Sequence, residues 1–406
     1  MKRLVNFVVS LIVGLSAMAQ MPELTVEQHV EDYDFAVKYI ENNYAGFPNK
    51  VVDSTLADYE AMKTRIRAQV ATGGRTCWDA VAEYTAWFND FHTRLCLNET
   101  DAAGHVRGKS DKYRAKKHAN YDELMVEYDP RALACKVTDK TYLIRFPSCY
   151  GDPDLKWVEG SIQSFMDSGC ENLILDIRGN SGGSDGLWTP YYNLLADHDG
   201  EINEVEYRNT PAYRDLLIQE FKKEGVPEEI IAKVQSVMPM LAGIPFVPGL
   251  MVRQFYGLLS SGEEFSLMKL QGLLETLAHP EKLGKRQVLV EQVNDAVKKA
   301  ALIIDGSVAS SGEQLVVVLR ALSARTTIYG SDNTSGCLDY SNLIEVEMPN
   351  SGIKFTSPMS RTMGLPATAV DPTGIAPDVR ITLPLPDRLT DNIDEWVAWI
   401  AAQLEK

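Results

Sequence analysis

The sequence predicts an α/β protein with a helical N-terminal region, on three observations. From residue 154 helical and extended patterns alternate, as in LKWVEGSIQSFMDSG (155–169), NLILDI (172–177), LWTPYYNLLAD (187–197) and INEVEY (202–207). Alternation of this kind argues for a largely parallel sheet. ALII (301–304) is an unbroken apolar run, as expected of a strand buried on both faces. Between Thr25 and about Asp90, three segments carry aromatic and aliphatic residues at the three- and four-residue spacing of amphipathic helices.

In chain order, Met1–Ala19 has Lys2 and Arg3, a short apolar run, and small residues at Ala17 and Ala19. That is the layout of a secretory signal peptide cleaved before Gln20, which predicts an exported protein, periplasmic or extracellular. No cysteine follows the cleavage pattern, so no lipid anchor is expected, and no other stretch is apolar enough to span a membrane. The N-terminal helical region (20–100) holds EDYDFAVKYIENNY, LADYEAMKTRIRAQV and CWDAVAEYTAWFND, with His92 just past the third helix. Residues 101–140 read as a polar linker (101–120) followed by a first strand, LACKV, and TYLIRFPSC (141–149) is the next.

The interval 208–297 interrupts the alternation. It reads as a helical insertion, a lid or a stabilising cap, and includes the apolar run MLAGIPFVPGLMV (240–252). The sheet pattern then resumes with ALII, TTIYG, LIEVEM and IKFTSPM, so that 141–207 and 298–385 form one α/β core. A last amphipathic helix lies within 386–406.

Charge limits the partners. With 40 basic and 56 acidic side chains the net charge is −16, and loss of Lys2 and Arg3 with the signal peptide makes it more acidic. A basic nucleic-acid-binding face is therefore not expected. The six cysteines have no metal-site spacing, so neither a metal nor another cofactor is predicted. An exported chain permits disulfides, but their connectivity is not legible.

The segment ALIIDGSVASSGE (301–313) ends a buried strand in a Gly/Ser turn and delivers Ser310 to the start of a helix. Unpaired N–H groups and the helix dipole there favour developing negative charge, so Ser310 is a candidate nucleophile. Ser and Gly before a helix are also ordinary capping residues. Ser260–Glu263 repeats the letters SSGE after helical sequence, where only a loop or cap is expected. The loop RGNSGG after NLILDI can form an anion-binding nest, and it lacks the signature of a nucleotide loop.

Taken together, LILDIRGNSGG, ALIIDGSVASSGE, IYGSDNTSG and GIAPD, in this order, resemble the tail-specific, or carboxy-terminal processing, serine peptidases, including the tricorn-type core. The resemblance covers about 140–207 and 298–383. It implies a crotonase-like (ClpP/crotonase) α/β core and hydrolysis of a protein or peptide substrate. It also implies Ser310 as nucleophile, and Gly182 or Gly183 with the N–H of Ser311 as oxyanion hole. Two features depart from the family pattern. Gly336 or Cys337 stands where Ser-Lys members carry lysine, and there is no room for a PDZ module before the core. A Ser-His-acid arrangement is then implied, with His92 in NDFHTRL as base, Asp371 in VDPTGIAPD as orienting acid and Lys354 as reserve base. A non-catalytic binding protein on the same core is the alternative reading, and an esterase a weaker third.

Overall fold

The computed structural model describes residues 23–96, 128–223, 225–237, 243–249 and 284–406. The expected signal peptide (1–19), the linker 101–120 and Ser260 lie outside the described residues. The chain divides into two compact units. The first comprises Met1–Lys112, Tyr207–Val247 and Tyr340–Arg361; the second comprises Tyr113–Glu206, Pro248–Asp339 and Thr362–Lys406.

In the first unit the helices Val26–Asn43, Asp53–Ala71 and Cys77–Trp87 pack pairwise. Thr25 opens the first of them with a reciprocal capping box to Gln28, and Thr76 caps the third, each cap satisfying amides that the first turn would otherwise leave orphaned. Their interface is aromatic: Tyr33, Tyr59, Tyr84 and Phe88 are buried, and the Tyr59 and Tyr84 hydroxyls meet at 2.9 Å. After the third helix, strand Arg94–Cys96 pairs antiparallel with Lys354–Thr362, which pairs in turn with Tyr340–Glu347. Sequence order had put these last two strands in the α/β core. They pair with the N-terminal region because Arg94–Cys96 lies in register with Lys354–Thr356.

The second unit is built on a six-stranded sheet whose spatial order follows the chain: β1 (Leu133–Lys136), β2 (Thr141–Arg145), β3 (Asn172–Asp176), β4 (Lys299–Ile304), β5 (Thr326–Gly330) and β6 (Val379–Arg380). The β1–β2 pair is antiparallel and all the others are parallel. Strand alternation divides the apolar residues between two faces. Leu173, Leu175, Leu302 and Ile304 face a cluster containing helices Leu155–Ser168, Asp185–Leu195 and Ser311–Leu322. Ile174, Ala301 and Ile303 face Trp396, Val397 and Ile400 of the terminal helix Glu395–Leu404. Each such Leu or Ile contributes about 1.5–3 kcal/mol on burial, which is why β3 and β4 carry no polar alternation. The interval 208–297, expected to be helical, holds helices Pro211–Lys223 and Glu228–Val237, and also the short strands Phe246–Pro248 and Lys285–Val288; its residues 250–283 lie outside the described ones.

The carboxyl ends of β2 and β3 are joined by buried ions. Asp176 receives Arg145 and Arg178, each at 2.7 Å, and Asp394 receives them at 3.0 and 2.7 Å while its other oxygen caps the terminal helix at Trp396 N. Burial alone would raise the pKa of Asp176, but the two guanidiniums overcome it and hold the carboxyl well below its usual range. A depressed folded-state pKa stabilises the fold above the unfolded value of about 3.9, and that contribution fades as pH falls below it. Replacing Asp394 with alanine leaves two buried guanidiniums sharing one carboxylate and removes a helix cap. We expect a loss of about 3–5 kcal/mol in urea unfolding; a loss under about 1 kcal/mol would contradict this role.

Candidate active site

Ser310 sits in the second unit at the turn between β4 and helix Ser311–Leu322. Its backbone is at φ 53°, ψ −120°, a left-handed region that an L-residue occupies only under restraint. The restraint comes from three sides. Ala309 N donates to Asn180 O at 3.0 Å, which ties the residue before the serine to the glycine loop. Gly182, at φ 101°, lies so close that a Cβ there would come within 2.8 Å of the Ser310 Cβ and 3.0 Å of Ser311 N. The third restraint is Glu313, which accepts the Ser310 amide at 3.1 Å.

Glu313 is fully buried. Its carboxylate also accepts Cys337 N at 2.8 Å, Gly336 N at 2.7 Å and the Thr334 hydroxyl at 2.6 Å. Burial pushes its pKa up, and the four donors pull it back only in part. Thr334 in turn accepts Ile375 N at 2.7 Å, and Gly374 lies against its carbonyl. The glycine loop, the serine turn, the 330–337 loop and the GIAPD block thus converge on one turn. At 336–337, where a dyad lysine would be expected, the two backbone amides are engaged by Glu313.

The glycine loop is held by Asn180, whose amide nitrogen reaches Phe146 O and whose side-chain oxygen accepts Gly182 N, each at 3.0 Å. The Gly182 N–H is therefore already engaged. The adjacent Gly183, at φ 128°, is exposed and pairs with Cys149. Cys149 is buried, and burial pushes its thiol up to about 11, which leaves it protonated and unreactive near neutral pH. None of the six cysteines is in a disulfide. Among the described residues no cluster of three or more His, Cys, Asp or Glu could hold a metal ion, and no helix is long and apolar enough to cross a membrane.

Asp371 also belongs to the second unit. Its Oδ1 accepts Leu338 N at 2.7 Å and Asp339 N at 3.2 Å, while Asp339 accepts Val370 N and Asp371 N, so two loops clasp each other through two aspartates. His92 belongs to the first unit, where it is buried, with its amide on Asp90 Oδ1 at 2.9 Å and its carbonyl on the Thr356 hydroxyl at 2.7 Å. Its Nδ1 lies 2.6 Å from Tyr340 O. A carbonyl only accepts, so Nδ1 carries a proton. Lys354 is an exposed strand residue paired with Glu345 at 3.3 Å. Sequence reasoning used Glu313 only as a position marker and passed over Asn180 and Thr334. The S-x-x-E spacing of a capping box was the available signal for Glu313.

Residues 140–381 match the model of peptidase family S41. Among solved structures, a candidate peptidase from Parabacteroides merdae is 14% identical, with TM-score 0.56 over 95% of this chain and 98% of that one. Mature CPAF, solved in complex with lactacystin, is 13% identical, with TM-score 0.54 over 94% and 97%. No curated protein sequence matches. Fold and family model define a mixed α/β serine peptidase, a hydrolase of peptide bonds in a peptide or protein. The chain belongs to peptidase family S41, that of the tail-specific peptidases.

Substituting Glu313 with glutamine places an NH2 group against donors. It should weaken the turn by about 1–3 kcal/mol and lower kcat/KM at least tenfold. Peptidase assay beside thermal melting checks this, and an unchanged kcat/KM would rule out control of Ser310 by Glu313.

Proposed function

We propose that the chain is an exported serine endopeptidase in which Ser310 is the nucleophile and His92 the general base. The observation that carries the proposal is the conformation of Ser310: a non-glycine residue held at positive φ where a buried strand turns into a helix, with a glycine pressed against its Cβ. Backbone strain of this kind costs on the order of 1–3 kcal/mol and concentrates at sites where it presents a reacting group. A mere helix cap needs no such strain.

In the proposed reaction the Ser310 hydroxyl attacks the scissile carbonyl carbon as His92 Nε2 takes its proton. The oxyanion of the tetrahedral intermediate is received by the N–H groups of Ser311 and Gly183, the latter preferred to Gly182 because Asn180 already engages the Gly182 amide. Collapse breaks the C–N bond, the imidazolium returns the proton to the leaving amine, and water hydrolyses the acyl-enzyme by the same route. Tyr340 O fixes the tautomer of His92. Asp371 is assigned a positioning part through the backbone of 338–339. The engagement of the Gly336 and Cys337 amides by Glu313 favours this arrangement over a Ser-Lys dyad. The strands in chain order, with helices crossing between them, agree with a crotonase-like core, and the N-terminal signal pattern supports export.

A fluorophosphonate probe should label the purified protein and the Ser260→Ala variant but not Ser310→Ala, whose kcat should fall about 10³-fold or more. The profile of kcat/KM against pH should show an acidic limb from titration of a histidine base. A limb unchanged in His92→Ala would remove that residue as base. A wild type left unlabelled between about pH 6 and 9 would favour the non-catalytic binding protein.

A further inference from the structure

Ser311 uses its side chain in a way that capping does not require. Its hydroxyl donates to Asp185 Oδ1 at 2.6 Å and accepts the indole N–H of Trp188 at 2.9 Å, while the same N–H lies 3.2 Å from Asp185 Oδ1. An indole can only donate and a carboxylate only accept, so the direction of the chain is fixed: Trp188 to Ser311 to Asp185. Ser311 and Trp188 are buried, with exposures of 5% and 6%, whereas Asp185 is exposed. The link therefore runs from the core to the rim of the site.

The two ends it joins give it meaning. Ser311 is the first residue of the helix that follows Ser310. Asp185 is the first residue of helix Asp185–Leu195, capped by Ser184 and two residues after Gly183. The hydroxyl leaves its own helix and ties that N-terminus to the neighbouring one. The backbone N–H groups proposed for the oxyanion belong to these same two starts, one at Ser311 and one just before Ser184. An oxyanion hole acts through the spacing of its donors, and a small displacement weakens it.

We infer that Asp185, Ser311 and Trp188 are positioning residues that set the spacing of the Gly183 and Ser311 amides, an inference that rests on the reading of Ser310 as nucleophile. None of the three side chains takes or gives a proton in the reaction; they act through the two backbone donors.

Steady-state kinetics on a fluorogenic peptide, with the rate of fluorophosphonate labelling, test this in Ser311→Ala, Asp185→Ala and the double variant. Each single change should lower kcat about tenfold, a part of the 10²–10³-fold lost when a donor is removed outright, with KM within about twofold of wild type. The double variant should be no slower than the slower single one, because both changes cut the same link. Ser311→Thr, which keeps a hydroxyl, and Asp185→Asn, which keeps an acceptor oxygen, should recover most of the rate. Trp188→Phe removes only the N–H and provides a folded variant if the alanine changes destabilise the protein; its kcat should fall by a smaller factor, about threefold. An active wild type whose variants keep full kcat overturns the inference. So do additive losses in the double variant, or losses that follow the fraction of unfolded protein. A wild type that the probe does not label overturns the nucleophile reading and this inference with it.

Discussion

The second unit depends on one buried carboxylate. Glu313 accepts from Ser310 N, Gly336 N, Cys337 N and the Thr334 hydroxyl, which leaves neither oxygen unused and ties the turn after β4 to the loop after β5. A carboxylate away from water is costly unless its lone pairs are satisfied, and here the donors come from two separate segments of the chain. The contact is therefore cooperative. None of these loops has regular secondary structure to hold it, and each becomes defined by sharing the same acceptor.

That contact also explains how Ser310 stays where the backbone resists staying. A non-glycine residue at φ 53° costs on the order of 1–3 kcal/mol, while a hydrogen bond to a charged group returns about 1.5–3 kcal/mol. The Ser310–Glu313 bond alone is of the size needed, and the Ala309–Asn180 bond adds to it. Gly182 is required on the other side for a steric reason, since any side chain there would occupy the space of the Ser310 Cβ. Strain, restraint and close approach are three parts of one arrangement.

The sheet was legible because its cause is local. Leu173, Leu175, Leu302 and Ile304 face one layer and Ile174, Ala301 and Ile303 the other, so an apolar run with no alternation is the direct imprint of two-sided burial. The placement of Ser310 was legible for a similar reason, as a strand, a small-residue turn and a helix follow one another within a dozen residues. The role of Glu313 was not, because the pattern S-x-x-E reads as a cap whether or not the glutamate reaches a distant loop. SSGE occurs twice in the sequence, and nothing local distinguishes a partner more than 20 residues downstream. The pairing of Lys354–Thr362 with Arg94–Cys96 was hidden in the same way, since strand patterns carry no address. The Asp185–Ser311 link joins positions separated by 126 residues and leaves no periodicity at all.

In the proposed reaction the base, His92, is oriented through its Nδ1. A carboxylate at Nδ1 would fix the tautomer of an imidazole and also stabilise the imidazolium with a full negative charge. Tyr340 O, 2.6 Å from Nδ1, supplies the first effect. On the other side of the proposed reaction, the developing negative charge is met by the oxyanion donors. In that proposal the spacing of the Ser311 and Gly183 amides sets how well the oxyanion is held. The buried restraints around Ser310, from Glu313, Asn180 and the Asp185–Ser311–Trp188 chain, are concentrated on that side of the reaction.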